Sequence, residues 1–333
     1  MGKKGTTRAS TMARYEVLLD AAEQEGVALH PRGANERRQL ARMALRGDLL
    51  RLAPGLYVRS AWYEALGPEE RQLCLARTYH RLHPNWVFCH FSAAAAYGLW
   101  VSEVQLEKVH VRYGPGSWEK NCGVVVRHKG SPSLKEWANE LPVTSLARTV
   151  LDCIRESDFP RALAIADSAL RIHGMAADDL GDAMRREVAP RTRGLKRALA
   201  IVELADARSE SAGESMARAR MMELGYRMPE LQVSVPDPVE LGRTYRVDFL
   251  WRLDDDSLVA GEYDGRGKYL DKELNGGQEA FDVLAEERRR EARIAANDIR
   301  VLRMSGRELG SKVQLCRLLD AFGIPRDQPG INL

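Results

Sequence analysis

The chain has 333 residues, 44% of them hydrophobic and 29% charged, with a net charge of +3 at neutral pH. That is the composition of a soluble globular protein long enough for two or three domains, each with its own core. No apolar run approaches the ~18 residues of a membrane span, and five scattered cysteines (Cys74, Cys89, Cys122, Cys153, Cys316) at no metal-ligand spacing fit a reducing cytoplasm rather than a zinc finger. The charge is uneven: residues 1–60 carry eleven Lys/Arg against six Asp/Glu, and residues 185–197 carry six against one. Basic patches on a nearly neutral whole suit docking to nucleic acid.

The first ten residues read as a loose tail, and residues 12–25 as an amphipathic helix ended by Gly26. Asn35 is placed to cap a helix over 36–46, which Gly47 stops. Residues 49–52, the turn Ala53-Pro54-Gly55 and residues 56–58 then form a short hairpin. A basic helix followed at once by a hairpin is the order of a winged helix, in which the helix enters the major groove and the wing touches phosphate. Residues 1–60 are therefore predicted to be a winged-helix DNA-binding domain. Arg37, Arg38, Arg42 and Arg46 are its candidate contacts, the last three along one side of the helix.

Residues 61–200 are predicted to be a mixed α/β domain. A helix over 68–82 leads to a strand over 87–91, after which Ser92 caps a short Ala-rich helix. Strands follow over 104–113 and 124–128, joined by the loop Gly114–Ser117. Thr144 caps a helix through Ile154, and another spans 160–171. His80, His83, His90 and His110 include no pair at the i, i+4 spacing of a helical zinc site, so they read as partly exposed structural histidines. No catalytic constellation is visible in this stretch.

A basic linker from Arg185 leads into the third predicted domain, residues 205–333. Ser211 and Glu214 form a capping box for a helix that Gly225 closes. Strands over 231–235, 245–251 and 258–264 precede a long charged helix over 278–296, a strand over 299–304 and a final helix over 309–322. Helices interleaved with a hairpin-centred mixed sheet make an α/β sandwich. The acidic cluster Leu253–Ser257 closes the hairpin. If the turn centres on Asp255, Asp248 lies opposite Glu262 and Arg246 opposite Asp264. Period-two alternation then puts Asp248, Glu262 and Asp264 on one face. Opposed Cβ atoms are only about 4.5–5.5 Å apart, so a hard divalent cation between the acids is the expected relief, provided no bulge shifts the register.

The runs Arg246-Val247-Asp248-Phe249 and Glu262-Tyr263-Asp264-Gly265-Arg266-Gly267-Lys268-Tyr269 resemble the PD-(D/E)XK nuclease superfamily, in particular its very-short-patch-repair-like endonuclease domains. The resemblance covers about residues 205–310 and implies a restriction-endonuclease-like α/β sandwich. It implies Asp248 and Glu262 as ligands of Mg²⁺ (or Mn²⁺), with Glu214 as the helix glutamate completing the metal site. Asp264 is a third ligand or orients the attacking water, Lys268 stabilises charge on the phosphate, and Arg303 holds the backbone. Asp264 stands where the superfamily carries its signature lysine, and Lys268 lies four residues further on. Residues 47–58, Gly-Asp-Leu-Leu-Arg-Leu-Ala-Pro-Gly-Leu-Tyr-Val, resemble the winged-helix front of AbiEi-type antitoxins. Together the resemblances imply a cytoplasmic, metal-dependent DNA endonuclease with an N-terminal DNA-binding module, in defence or repair. The alternative is a non-catalytic DNA-binding repressor, antitoxin-like, with an inactive nuclease fold and a toxin protein as partner.

Overall fold

The computed structural model describes residues 3–113, 123–130, 135–265 and 278–333, the side chains of 3–12 and 278–284 apart. The loop Gly114–Ser117, Lys268 and Gly276-Gly277 lie outside the described residues. The chain is mixed α/β and divides by packing into two units, residues 1–153 and 154–333. No helix among the described residues is long and apolar enough to cross a membrane.

The first unit opens with α1 (Lys3–Gln24), so the stretch expected to be a loose tail is helical. Next come α2 (Ala34–Leu45) and the hairpin of β1 (Leu50–Ala53) and β2 (Leu56–Val58), turned at Gly55 with φ +82°. The cap of α2 is Gly33 and not Asn35. The acceptor comes from one turn on, where Glu36 Oε2 takes the Arg32 N–H at 2.8 Å, while Asn35 sits inside the first turn and accepts from Arg38. Tyr15 and Leu19 of α1 pack on Leu40 and Met43 of α2 and on Tyr57. Arg59 ties the end of the hairpin to three acids one turn apart on α1, Glu16, Asp20 and Glu23.

The rest of this unit holds α3 (Ser60–Ala65), α4 (Pro68–Leu82), β3 (Val87–Phe88), α5 (His90–Ala96), α6 (Glu103–Leu106), β4 (Val109–Tyr113), β5 (Val125–Lys129), β6 (Glu136–Ala138), β7 (Leu141–Val143) and α7 (Leu146–Arg155). The strands form one sheet in the order β5-β4-β3-β7-β6. Leu56 and Val58 of the hairpin share its core with Phe88, Val109, Val111, Leu141 and Val143. No packing boundary therefore falls at residue 60. Two caps sit elsewhere than expected. Cys89 and not Ser92 precedes α5, and Ser145 Oγ, not Thr144, accepts the Arg148 N–H at 3.2 Å.

The second unit begins with α8 (Phe159–His173), α9 (Ala177–Glu187), α10 (Leu195–Glu203) and α11 (Ala212–Leu224). Helices α8 to α10, expected with the middle domain, group here. The reason is a buried ion pair. Asp167 of α8 meets Arg218 of α11 at 2.7 Å, both almost wholly out of solvent. Asp167 also accepts the Asp206 N–H, and Arg218 donates to the Leu204 carbonyl. The basic stretch 185–197 is not a bare linker: Arg185 belongs to α9, and Arg197 donates to the carbonyls of Ile154 and Ser157.

β8 (Glu230–Pro236), β9 (Thr244–Arg252), β10 (Leu258–Asp264) and β11 (Ile299–Ser305) make a sheet in that order, antiparallel except for the parallel β10–β11 pair. The crossover between the parallel strands carries α12 (Gln278–Ala295). The predicted final helix is two helices, α13 (Gly306–Leu309) and α14 (Lys312–Ala321), each begun by a capping serine, Ser305 and Ser311. Ala217 and Met221 of α11 and Leu315 and Leu319 of α14 pack with Phe249, Trp251 and Val259, while Ile294 of α12 packs with Tyr245, Val247 and Ala260. Helices thus cover both faces of the sheet.

Those two clusters expose a break in alternation. Val247 and Phe249 differ by two and belong on one face of a regular strand, yet they pack with different helices. Leu231 and Val233 on β8 divide in the same way. Both strands change faces at the level of Asp248 and Gln232, where Gln232 has φ +56° and the ladder skips a pair.

Removing one partner of the Asp167–Arg218 pair strands the other charge in the core. Arg218→Ala is expected to cost about 3–5 kcal/mol, measured by denaturant unfolding. A loss below ~1 kcal/mol would mean that the pair behaves like an exposed one.

Candidate active site

The predicted register is present over the pairs described. Leu258 pairs with Arg252, Val259 with Trp251, Ala260 with Leu250 and Gly261 with Phe249. The ladder ends there, before Asp248 and Glu262 can pair. Asp248 instead turns its carboxylate to the neighbouring strand, and its Oδ2 accepts the Tyr263 N–H at 2.9 Å. Nor does Arg246 meet Asp264: Arg246 pairs with Glu210, and Asp264 with Arg303.

Glu262 is 6% exposed. Both of its carboxylate oxygens lie within 2.9 Å of the Arg290 guanidinium on α12. Arg303, level with Glu262 on β11, stands 3.7 Å from Glu262 and 3.1 Å from Asp264. Glu287 at 2.9 Å and Glu291 at 3.4 Å complete its surroundings. Burial raises the Glu262 pKa above a glutamate's ordinary value, Arg290 and Arg303 pull it back, and the nearby Asp248 charge pushes it up again. Arg303, ringed by carboxylates, is held more firmly protonated than usual despite its burial.

The structure thus brings Asp248, Glu262, Asp264 and Arg303 to one end of the sheet. Glu214 does not join them. Its oxygens take the Ser211 hydroxyl at 2.8 Å, the Glu210 N–H at 2.8 Å and the Gln232 amide at 2.9 Å, so it serves the start of its helix, through the Glu210 N–H and not the Ser211 N–H that a capping box uses. Its helix α11 also covers the other face, where Tyr263 lies. A Cβ on Gly213 would stand 1.8 Å from the Tyr263 ring, so only glycine admits that approach. Lys268 is outside the described residues. Three α12 arginines are paired: Arg290 with Glu262, Arg289 with Glu286, and Arg293 with Asp237 and Glu240. On α2, Arg37, Arg38, Arg42 and Arg46 are exposed, and Arg38 donates to Asn35.

Hard oxygen donors around a buried carboxylate suit a divalent cation in their chemistry. Among the described residues, however, the set of three ligand atoms within 4.8 Å of one another is Cys89, His90 and His128. The sequence reading missed it. His90 and His110, taken as partly exposed, are buried at 7%. The available signal was a Cys-His pair closing one strand and a histidine on each of two others. Only the sheet order reveals that they meet.

The chain is similar in sequence to two mycobacterial proteins. Over 230 residues, 68% of this chain and 78% of theirs, it is 30% identical to uncharacterized protein Rv2248 of Mycobacterium tuberculosis (strain ATCC 25618 / H37Rv) and to uncharacterized protein MT2308 of strain CDC 1551 / Oshkosh. The chain belongs to the family of these mycobacterial proteins. No family model matches it.

A group whose pKa is raised by folding stabilises the fold below its unfolded pKa and loses that contribution as pH climbs through the folded value. Glu262→Gln, which fixes the neutral form, is expected to melt like wild type well below pH 4.5 and above wild type at neutral pH. Paired melts across pH read the difference, and a gap that stays constant would contradict the upward shift.

Proposed function

We propose that the protein is a metal-dependent DNA endonuclease whose reacting centre lies at the end of β9 and β10. The observation that carries this reading is a cluster of carboxylates there: among the described residues Asp248, Glu262, Asp264, Glu287 and Glu291 gather around the guanidinium groups of Arg290 and Arg303. Asp248 and Glu262 would hold Mg²⁺ or Mn²⁺ with Asp264 beside them, and Glu214 stays with its helix cap. The bound ion would polarise the phosphoryl oxygen and acidify a water. Arg303 is the side chain placed to take a phosphate oxygen, giving up one of its carboxylates to do so. The helices on both faces of the sheet and the strand order support a restriction-endonuclease-like sandwich. Two helices, a hairpin and the Leu29–Tyr57 bridge support a winged helix over the first 60 residues, with α2 as the DNA-contacting element.

The second reading is a cytoplasmic repressor with an inactive nuclease fold and a toxin protein as partner. It is favoured by the closure of Glu262 under Arg290 and by Asp264 in the place of the signature lysine.

Wild-type protein is expected to cleave at least one form among supercoiled, linear, mismatched and single-stranded DNA with Mg²⁺ or Mn²⁺. Asp248→Ala and Glu262→Ala should fall to background. If no form is cut and neither ion raises the melting temperature, the repressor reading stands alone. Arg42→Ala and Arg46→Ala should each weaken DNA binding evenly across sequences and lower the salt-dependence slope by about one. Unchanged slopes would remove α2 from the interface.

A further inference from the structure

Strand order in the first unit gathers four side chains that lie far apart in sequence. Cys89 and His90 follow β3, His110 is on β4 and His128 is on β5. The Cys89 N–H donates to the His110 carbonyl at 3.0 Å, carrying the β3–β4 pairing one step past Phe88 and Val111. β4 and β5 run parallel, and His110 Nδ1 comes 2.9 Å from His128 Nε2. His90 has φ +50°, sparsely populated for a residue with a Cβ, and its ring stacks on His128 with centroids 3.5 Å apart. Cys89 and His90 are buried and His128 is half-buried.

We infer that Cys89, His90 and His128 bind one Zn²⁺ ion. A thiolate with two imidazoles is the donor set of a borderline-soft cation, not of the hard Mg²⁺ or Ca²⁺. Ligand atoms already within 4.8 Å of one another need only small rotations to close around such an ion. Lone pairs of two nearly parallel rings run side by side, so closing on the ion tilts the His90 and His128 rings slightly out of their stack. His110 is the outer partner. Its Nδ1 faces Nε2 of His128 and would orient that ring toward the ion. Asp152, buried and held by Arg148 at 2.7 Å and Arg112 at 3.4 Å, sets a negative charge 4.0 Å from His90 Nδ1. Binding releases the Cys89 thiol proton to the buffer.

The full chain, purified without chelator or histidine tag, is expected to carry stoichiometric zinc by elemental analysis. Replacement by Co²⁺ should give a thiolate-to-cobalt charge-transfer band in the near ultraviolet. Cys89→Ser should lose the band. His110→Ala should weaken cobalt binding by about 10–100-fold, and His128→Gln by more. Asp248→Ala should keep both metal and band. Circular dichroism confirms folding of each variant, and if the buried Cys89→Ser fails to fold, the half-buried His128→Gln carries the test. Folded wild type without stoichiometric zinc or cobalt overturns the assignment. So does an unchanged band in Cys89→Ser, unchanged affinity in folded His128→Gln, or loss of the metal in Asp248→Ala.

Discussion

A carboxylate sealed in at one end of a sheet is the constraint around which the second unit is organised. Taking the Glu262 charge out of water is expensive, and the cost is recovered only if cations cover it with good geometry. Arg290 and Arg303 recover part of it, and each brings a charge of its own to settle. Arg303 settles on Asp264, Glu287 and Glu291, and Arg290 reaches on to the Arg246 carbonyl. Glu287, Arg290, Glu291 and Ile294 recur at the spacing of one helix face. The stripe of α12 against the sheet is therefore ionic at one end and apolar at the other. One buried acid thus fixes how that helix sits on β10 and β11.

The change of face at Gln232 and Asp248 is the second half of the design. A regular β9 would send Tyr245, Val247, Phe249 and Trp251 under the same helices. By switching sides, the strand feeds two cores at once, one under α12 and one under α11 and α14. A non-glycine residue at positive φ costs of order 1–3 kcal/mol, and two well-filled cores outweigh it. The break has a chemical consequence too. Pairing with β10 stops at Gly261, and the Tyr263 N–H that continued pairing would have used is taken by the Asp248 carboxylate.

Local chemistry was legible in the sequence and distant pairing was not. The Ser211 cap, whose hydroxyl accepts the Glu214 N–H, and the Gly225 stop are encoded within a few residues, and both form. The β9–β10 register was readable because the turn sets it: Ser257 returns its carbonyl to the Leu253 N–H, and Asp255 holds the Ser257 N–H and hydroxyl. Nothing local announces that Arg290 will close over Glu262, because Glu286, Glu287 and Glu291 offered equally good partners on the same helix. The face change hides for a similar reason, since every second residue of β9 stays buried through it. The Cys-His cluster depends on β3, β4 and β5 being neighbours, a property of strand order that no window of sequence contains.

On the proposed readings the two metal centres follow different rules. At the carboxylate end an incoming cation competes with guanidinium groups already paired to its ligands, which weakens it while the protein is alone. A phosphodiester supplies those guanidinium groups with a new partner and relieves the competition. Ion and nucleic acid then strengthen each other's binding by the same factor, as linkage requires. At the Cys-His set the nearby Arg112 and Arg148 are turned to Asp152, and the ion competes with the proton of the Cys89 thiol. On these readings zinc affinity would follow pH, while that of the hard cation would follow the nucleic acid.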